Sequence, residues 1–132
     1  MEIQGQEMIS IANRQGIESV RADYEHLGFQ DTTVDGIWAY ASLLHLPHPH
    51  LLPVLREFNR ILKQKSVLLI SMLEGKSEEY RGSPDGWGDD IRYFALWPEN
   101  ELQKVLTQAG FSIIETNRPQ GKFIDILSVT TK

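Results

Sequence analysis

Three of the four histidines lie close together, at His45, His48 and His50. The spacing H-x-x-H-x-H is possible for metal ligands, because imidazole nitrogen binds transition metals readily. Two prolines lie in this segment and no carboxylate or cysteine is nearby, so we predict no metal site. His45 is the candidate for a residue that accepts a proton or orients a ligand. A plain surface histidine is the alternative interpretation.

Aromatic and cationic residues form a second group, after a polar, glycine-rich stretch at 74–90. The group contains Arg92, Tyr93, Phe94 and Trp97. Because aromatic faces attract cations, this group could contact a charged ligand. Its rings could equally hold the preceding segment against the core. The stretch at 74–90 is typical of a long loop, and such loops are usually functional or mobile.

Charge and cysteine content narrow the classes of function. Lys and Arg number 13 against 18 Asp and Glu in 132 residues, which gives a net charge of −5. An acidic chain lacks the basic surface typical of a nucleic-acid-binding protein. The absence of cysteine excludes disulfides, thiolate metal sites and cysteine nucleophiles. No stretch has the pattern of a signal peptide or a membrane helix, so we expect a cytoplasmic protein.

Hydrophobic periodicity predicts alternating helices and strands in a single domain. Pro53 fits the second helix only if it lies in the first turn. The continuous apolar run at 67–72 indicates a strand buried on both faces. The predicted helices cover 6–15, about 51–62 and 98–109, and the predicted strands cover 17–22, 34–41, 67–72, 111–115 and 123–129. This order favours an α/β sheet with helices on both faces and an antiparallel hairpin at one edge.

Taken in order, these segments resemble the class I S-adenosylmethionine-dependent methyltransferases, most closely those that act on small molecules. The resemblance rests on an ordered series that spans nearly the whole chain. Its parts are Asp23-Tyr24-Glu25-His26-Leu27-Gly28-Phe29, Val34-Asp35-Gly36-Ile37-Trp38-Ala39, Ser42-Leu43-Leu44-His45-Leu46-Pro47, Arg60-Ile61-Leu62-Lys63, Arg92-Tyr93-Phe94 with Trp97, and Ala109-Gly110-Phe111. The resemblance implies a Rossmann-like sheet and methyl transfer from S-adenosylmethionine to a small-molecule acceptor.

The resemblance also implies which residues bind the cofactor. Glu2 would accept hydrogen bonds from the ribose, Asp23 would meet the adenine amino group, and Tyr24 would line the adenine ring. Ala39 and Tyr40 would lie beside the methionine part, at the end of a strand where ligands of open α/β sheets bind. For each of them, an ordinary terminal, turn or core residue is the alternative.

The remaining implied roles concern the methyl group and its acceptor. His45 would lie beside the methyl donor. Arg92, Tyr93 and Trp97 would cover the acceptor, and the two aromatic rings could also hold the sulfonium by cation–π contact. In this interpretation no metal takes part.

The sequence departs from the family pattern in two places. The family opens with a strand that ends in a D-x-G-x-G loop against the cofactor, and this sequence contains no such loop. Gln64-Lys65-Ser66 stands where the family usually has Pro-Gly-Gly. The chain therefore resembles a truncated methyltransferase that begins one strand and one helix late, so that the central strand of the sheet is missing.

A missing central strand would leave unpaired backbone groups on both of its neighbours. The chain must close that gap, pair across a dimer, or give up the N-terminal half of the sheet. We predict that residues 34–132 are the well-formed unit and that residues 1–33 are repacked or swapped.

Three interpretations of function remain open at this point. The first is a methyltransferase with a small-molecule acceptor, whose isolated chain binds S-adenosylmethionine weakly or is inactive. The second is a catalytically dead remnant that acts as a homodimeric interaction module. The third is a split enzyme, completed by a partner chain that supplies the missing strand. We expect neither nucleic acid nor a membrane as a partner.

Overall fold

The computed structural model describes residues 2–3, 19–20, 29–39, 43–76, 78–81 and 92–132, with the backbone alone at 2–3, 19–20, 78–81 and 92. Within these residues lie eight strands and two helices. The strands are β1 (Glu2–Ile3), β2 (Ser19–Val20), β3 (Val34–Ala39), β4 (Leu62–Glu74), β5 (Glu78–Arg81), β6 (Arg92–Trp97), β7 (Phe111–Asn117) and β8 (Phe123–Thr130), and the helices are α1 (His48–Ile61) and α2 (Glu99–Gln108). The helix predicted at 6–15 lies outside the described residues.

β4 is the central strand of a mixed sheet. β3 runs parallel along one edge of β4, and β8 runs antiparallel along the other edge over residues 67–73. β7 pairs with β8 and forms the antiparallel hairpin at the edge of the sheet. Beyond the end of β3, β6 pairs in parallel with Leu73 and Glu74. The Rossmann-like sheet and its C-terminal hairpin, both predicted from the sequence, are confirmed.

The N-terminal strands close the gap that was expected beside β3. β1 pairs in parallel with β2 on one side and with β3 on the other, where Glu2 lies opposite Trp38. The order across this half of the sheet is therefore β2-β1-β3-β4. Of the three arrangements considered, the chain adopts direct pairing between the strands that remain. The division into residues 1–33 and 34–132 stays a prediction.

α1 buries one apolar face against the sheet. Leu51, Leu55, Phe58 and Ile61 are fully buried, at the spacing expected of a helix that faces a core. The same core contains apolar side chains of β4, β8 and α2, namely Leu68, Ile70, Met72, Leu102, Leu106, Ile124 and Ile126. The two described helices share this core, so within the described residues helices cover one face of the sheet, whereas the sequence favoured helices on both faces. No helix of the described part of the chain is long and apolar enough to cross a lipid bilayer.

Pro53 does not lie in the first turn of its helix, and that expectation is wrong. The helix begins at His48, so Pro53 falls in the second turn. Proline there removes the hydrogen bond to the carbonyl oxygen of Pro49. Both prolines are exposed, so water can reach the carbonyl group and the helix continues.

A smaller apolar cluster forms at the carboxyl end of β4. It consists of Leu44, Leu73, Phe94 and Leu96, with Phe123 packed against it. We call this group the carboxyl-edge cluster. It joins β4 and β6 to the turn that follows β3 and to the start of β8.

Part of the segment predicted as a loop, 74–90, forms a strand in the structure. β5 pairs antiparallel with β6, from Glu78 opposite Ala95 to Arg81 opposite Arg92. The sequence of β5 is polar throughout and shows no alternation of apolar and polar residues. Its extended backbone therefore follows from pairing with β6, which local sequence patterns do not reveal.

Lys65 adopts a backbone conformation that favours glycine. Val34 pairs with Leu62, and Gly36 pairs with Val67. Because β4 has more residues between these two pairs than β3 has, β4 forms a bulge there. In this bulge Lys65 has φ of 52°, in the left-handed region where a side chain costs free energy. This is the segment where the related family usually has Pro-Gly-Gly, and the structure gives the physical reason for glycine there.

We expect Lys65→Gly to raise the free energy of unfolding by about 0.5–1 kcal/mol. Relief of the left-handed strain is worth about 1–2 kcal/mol, and the greater freedom of glycine in the unfolded chain takes back about 0.5–1 kcal/mol. Urea denaturation measures the difference. Gln64→Gly is the matched control, because Gln64 has no positive φ and glycine there should only destabilise. A loss of stability in Lys65→Gly would contradict the strain argument.

Candidate active site

The turn at 43–46 is fastened to β6 by hydrogen bonds at the carboxyl edge of the sheet. The amide of Ala95 donates to the carbonyl oxygen of Leu44 at 2.8 Å. His45 Nδ1 lies 2.8 Å from the carbonyl oxygen of Tyr93. The ring of His45 also lies against the ring of Phe94, with centroids 4.7 Å apart. These contacts hold an exposed histidine in a defined orientation.

The bond to Tyr93 determines the tautomer of His45. A carbonyl oxygen has no hydrogen to give, so Nδ1 of His45 carries the proton and donates it. In the neutral imidazole the other nitrogen, Nε2, then has a free lone pair. His45 therefore presents a proton-accepting nitrogen at the edge of the sheet where ligands of this architecture bind. This arrangement can remove a proton from a bound N–H or O–H group.

His48, three residues later, makes the same kind of contacts with β6. Its Nε2 lies 2.7 Å from the carbonyl oxygen of Leu96, and its ring contacts that of Trp97 at a centroid distance of 4.3 Å. By the same reasoning Nε2 carries the proton. His48 therefore anchors the start of α1 to β6. From the sequence, His48 was considered only as a metal ligand. The two histidines are three residues apart, as are their partners Tyr93 and Leu96, and this equal spacing is the signal that could have related the two segments.

The structure places the three predicted acceptor residues of β6 in different surroundings. Tyr93 is half-buried and contributes its carbonyl oxygen to His45. Trp97 is buried in the main core against His48. Its indole Nε1 is enclosed and has no hydrogen-bond partner among the described residues. Arg92 pairs with Arg81 at the far end of β6, and its side chain lies outside the described residues.

The predicted cofactor residues can be located in part. Ala39 is fully buried at the carboxyl end of β3. Glu2 lies on the neighbouring parallel strand, opposite Trp38 and thus one residue short of the level of Ala39. The register therefore brings Glu2 and Ala39 to neighbouring strands near the same edge of the sheet. Asp23, Tyr24 and Tyr40 lie outside the described residues.

An ion-pair network crosses the same edge. Arg118, in the loop between β7 and β8, donates to both carboxylate oxygens of Glu74, at 3.1 and 2.8 Å, and to Glu99 at 2.8 Å. The hydrogen bonds from Arg118 hold the pKa of Glu74 below its usual value, and the two carboxylates raise the pKa of Arg118. The network ties the hairpin loop to the end of β4 and to the first turn of α2. The sequence held no local signal for it, because its members are far apart along the chain.

Metal ligands do not converge in the described part of the chain. No group of three or more His, Asp or Glu side chains comes together there. His45 and His48 each direct one ring nitrogen at a backbone carbonyl oxygen of β6. Both rings are therefore anchored to β6.

Comparison with a protein-family model gives a match over residues 4–70, slightly more than half of the chain. The model describes a methyltransferase domain. Among curated proteins the sequence has no match. The matched segment contains β2, β3, α1 and the part of β4 that ends at Ile70.

Solved structures share the fold at low sequence identity. A methyltransferase of Methanosarcina mazei aligns at 16% identity and a TM-score of 0.76, over 98% of this chain and 80% of that one. The 1,6-didemethyltoxoflavin N1-methyltransferase of Burkholderia thailandensis, solved with its substrate and S-adenosylhomocysteine, aligns at 18% and 0.72. Here the alignment covers 98% of this chain and 58% of the enzyme.

A methyltransferase of Haloferax volcanii, solved in complex with the activator Trm112, gives 16% identity and a TM-score of 0.69. The alignment covers 98% of this chain and 71% of that one. The sheet order, the hairpin and the family match agree with one another. The chain belongs to the class I S-adenosylmethionine-dependent methyltransferases.

Proposed function

We propose that this protein transfers a methyl group from S-adenosylmethionine to a nitrogen or oxygen atom of a small molecule, with His45 as the proton acceptor. The observation that carries the proposal is the hydrogen bond from His45 Nδ1 to the carbonyl oxygen of Tyr93. It leaves Nε2 as a base at the carboxyl edge of the sheet. The Burkholderia relative, which was solved with a small heteroaromatic substrate, supports a small-molecule acceptor.

The chain's own residues have distinct tasks in this reaction. When bound, S-adenosylmethionine supplies an electrophilic methyl group on a positively charged sulfur. Glu2 would accept hydrogen bonds from the ribose, and Ala39 leaves room beside it. His45 Nε2 takes the proton that the acceptor atom must lose as it gains the methyl group, and the sulfur leaves as a neutral thioether. The carbonyl oxygen of Tyr93 and the ring of Phe94 keep the ring of His45 in place.

Calorimetric titration with S-adenosylhomocysteine tests the cofactor part of the proposal. We expect micromolar affinity, which corresponds to about −8 kcal/mol. Glu2→Gln should weaken binding about tenfold, because a hydrogen bond to a charged acceptor is worth about 1.5–3 kcal/mol. Glu115→Gln, the same change on the edge strand β7, should have no effect. The lack of heat at millimolar ligand would contradict the proposal.

An exposed apolar face supports a second candidate, the homodimeric interaction module. Trp38 is 42% exposed and Val67 44% exposed, and the register places Trp38 beside Leu69 on one face of the sheet. The mass of the same sample by light scattering distinguishes the candidates. A dimer without affinity for S-adenosylhomocysteine would favour the interaction module, and ligand binding would favour the enzyme.

A further inference from the structure

A cavity of about 480 Å³ opens between the end of β4 and the loop that leads into β8. Its volume lies within the range of about 300–1,000 Å³ that is usual for sites of small molecules. Ser71 and Leu73 of β4 line one side, and Gly121, Lys122 and Phe123 line the other. None of these residues was singled out in the sequence as part of a site.

Ser71, the polar residue that β4 contributes to the cavity, can only accept hydrogen bonds from a ligand. Ser71 is almost completely buried, and its hydroxyl donates to Asp125 Oδ1 at 2.7 Å. A serine hydroxyl has one hydrogen, and an ionised aspartate has none. Because that hydrogen is already used, the oxygen of Ser71 offers only lone pairs to a ligand. A ligand that forms a hydrogen bond with Ser71 must therefore bring an N–H or O–H donor, whereas Gln120 and Lys122, which also line the cavity, can donate to a ligand.

The apolar wall of the cavity connects it with the proposed base. Leu73 and Phe123 line the cavity and also belong to the carboxyl-edge cluster. The same cluster contains Leu44, the neighbour of His45, and Phe94, whose ring contacts His45. Two residues that line the cavity and the aromatic residue that contacts His45 therefore belong to the same apolar cluster at one edge of the sheet. An aromatic ring beside an aliphatic side chain favours a flat apolar ligand.

We propose that this cavity is the acceptor pocket and that Ser71, held by Asp125, selects flat apolar molecules that carry an N–H or O–H donor. This inference rests on the proposed function for the identity of the ligand as methyl acceptor. It assigns acceptor recognition to the end of β4 and the β7–β8 loop, in addition to the β6 residues predicted from the sequence. Gly121, whose φ of 58° lies in the region that favours glycine, forms part of the turn on this side of the cavity.

Two probe molecules of the same shape test the selection for a donor. Indole carries one N–H group, and benzofuran has an oxygen in its place. In titrations followed by amide 1H–15N spectra of the full chain, indole should shift the signals of residues 71, 73 and 121–123. Benzofuran should bind about tenfold more weakly, because it has no N–H group to donate to the lone pairs of Ser71, whose own hydrogen stays with Asp125. Equal affinity of the two probes, or shifts centred on Trp38 and Val67, would overturn the inference.

Variants separate recognition from folding. Ser71→Ala should abolish the preference for indole while both probes still bind, because the apolar wall remains. Asp125→Asn should also reduce the preference, since an amide nitrogen can donate to Ser71 and release its hydrogen. Ser112→Ala, on the exposed side of β7, is the matched control and should keep the tenfold preference. A preference that survives in Ser71→Ala would overturn the role of that residue.

The titration with S-adenosylhomocysteine gives an independent result. Binding of S-adenosylhomocysteine without selective binding of indole overturns the acceptor pocket and leaves the proposed function standing. Selective binding of indole to a chain that does not bind S-adenosylhomocysteine overturns the proposed function, and with it the identity of this pocket as a methyl-acceptor site.

Discussion

Replacement of His45 by glutamine is expected to lower the rate of methyl transfer by about 10²–10⁴-fold, the usual contribution of a general base. The amide of glutamine can still donate to the carbonyl oxygen of Tyr93, so the turn at 43–46 should keep its shape. It cannot accept a proton at neutral pH. The dissociation constant of S-adenosylhomocysteine should change far less than the rate. The measurement is the formation of S-adenosylhomocysteine with a flat acceptor that bears an N–H or O–H group.

The exposed His50 offers a matched control for this experiment. It lies in the first turn of α1, and His50→Gln makes the same chemical change close by. Its rate should stay near that of the unmodified protein. A second readout needs no acceptor: long-range 1H–15N spectra of the imidazole rings should show His45 protonated at Nδ1. A rate in His45→Gln within about threefold of the original would contradict the role of a base.

Alanine in place of Gly75 should lower the free energy of unfolding by about 1–3 kcal/mol, the usual cost of overpacking. A Cβ at this position would collide with Leu96 Cδ2 and lie 2.8 Å from Leu96 Cβ. The Cδ2 atom can rotate away, but the Cβ is fixed to the strand. The amide of Gly75 also donates to the carbonyl oxygen of Trp97 at 3.1 Å. The added methyl group therefore pushes β6 away from the end of β4.

Two further variants make this prediction specific. Gly36→Ala is the matched control, because a Cβ there would meet Val67 Cγ2 at an ordinary 3.5 Å. In a Leu96→Ala background, Gly75→Ala should cost less, since two of the three close contacts are removed. Urea denaturation of the four proteins of this cycle gives the coupling between the two sites. A cost that is the same in both backgrounds would contradict the steric explanation.

The sequence was most informative where one element follows a single period. The apolar spacing at 51–62 predicted α1 and its buried face, and the apolar run at 67–72 predicted the interior of β4. The ordered resemblance to methyltransferases predicted the sheet and its hairpin. These features depend on local patterns that repeat several times, so tertiary contacts did not change them.

The features that sequence analysis missed depend on contacts between distant segments. β5 forms because β6 offers it a partner, and the bonds of His45 and His48 reach β6 across 48 positions of the chain. Arg118 meets Glu74 and Glu99 only after the hairpin has folded back. Pro53 was expected in the first turn because proline interrupts a helix interior. In the structure its position is exposed, so water can bond to the carbonyl oxygen of Pro49 that proline leaves without a backbone partner.

The hydrogen bonding of β4 has a consequence for the order in which parts of the molecule open. The middle of β4 is paired on both edges, by β3 and by β8, so its amides should exchange with solvent only when the whole domain unfolds. β6 pairs with β4 at two residues, Leu73 and Glu74. Its amides should exchange through a smaller opening of lower free energy. Because β6 carries the carbonyl oxygen that orients His45, such an opening would release the base while β3, β4 and β8 stay paired.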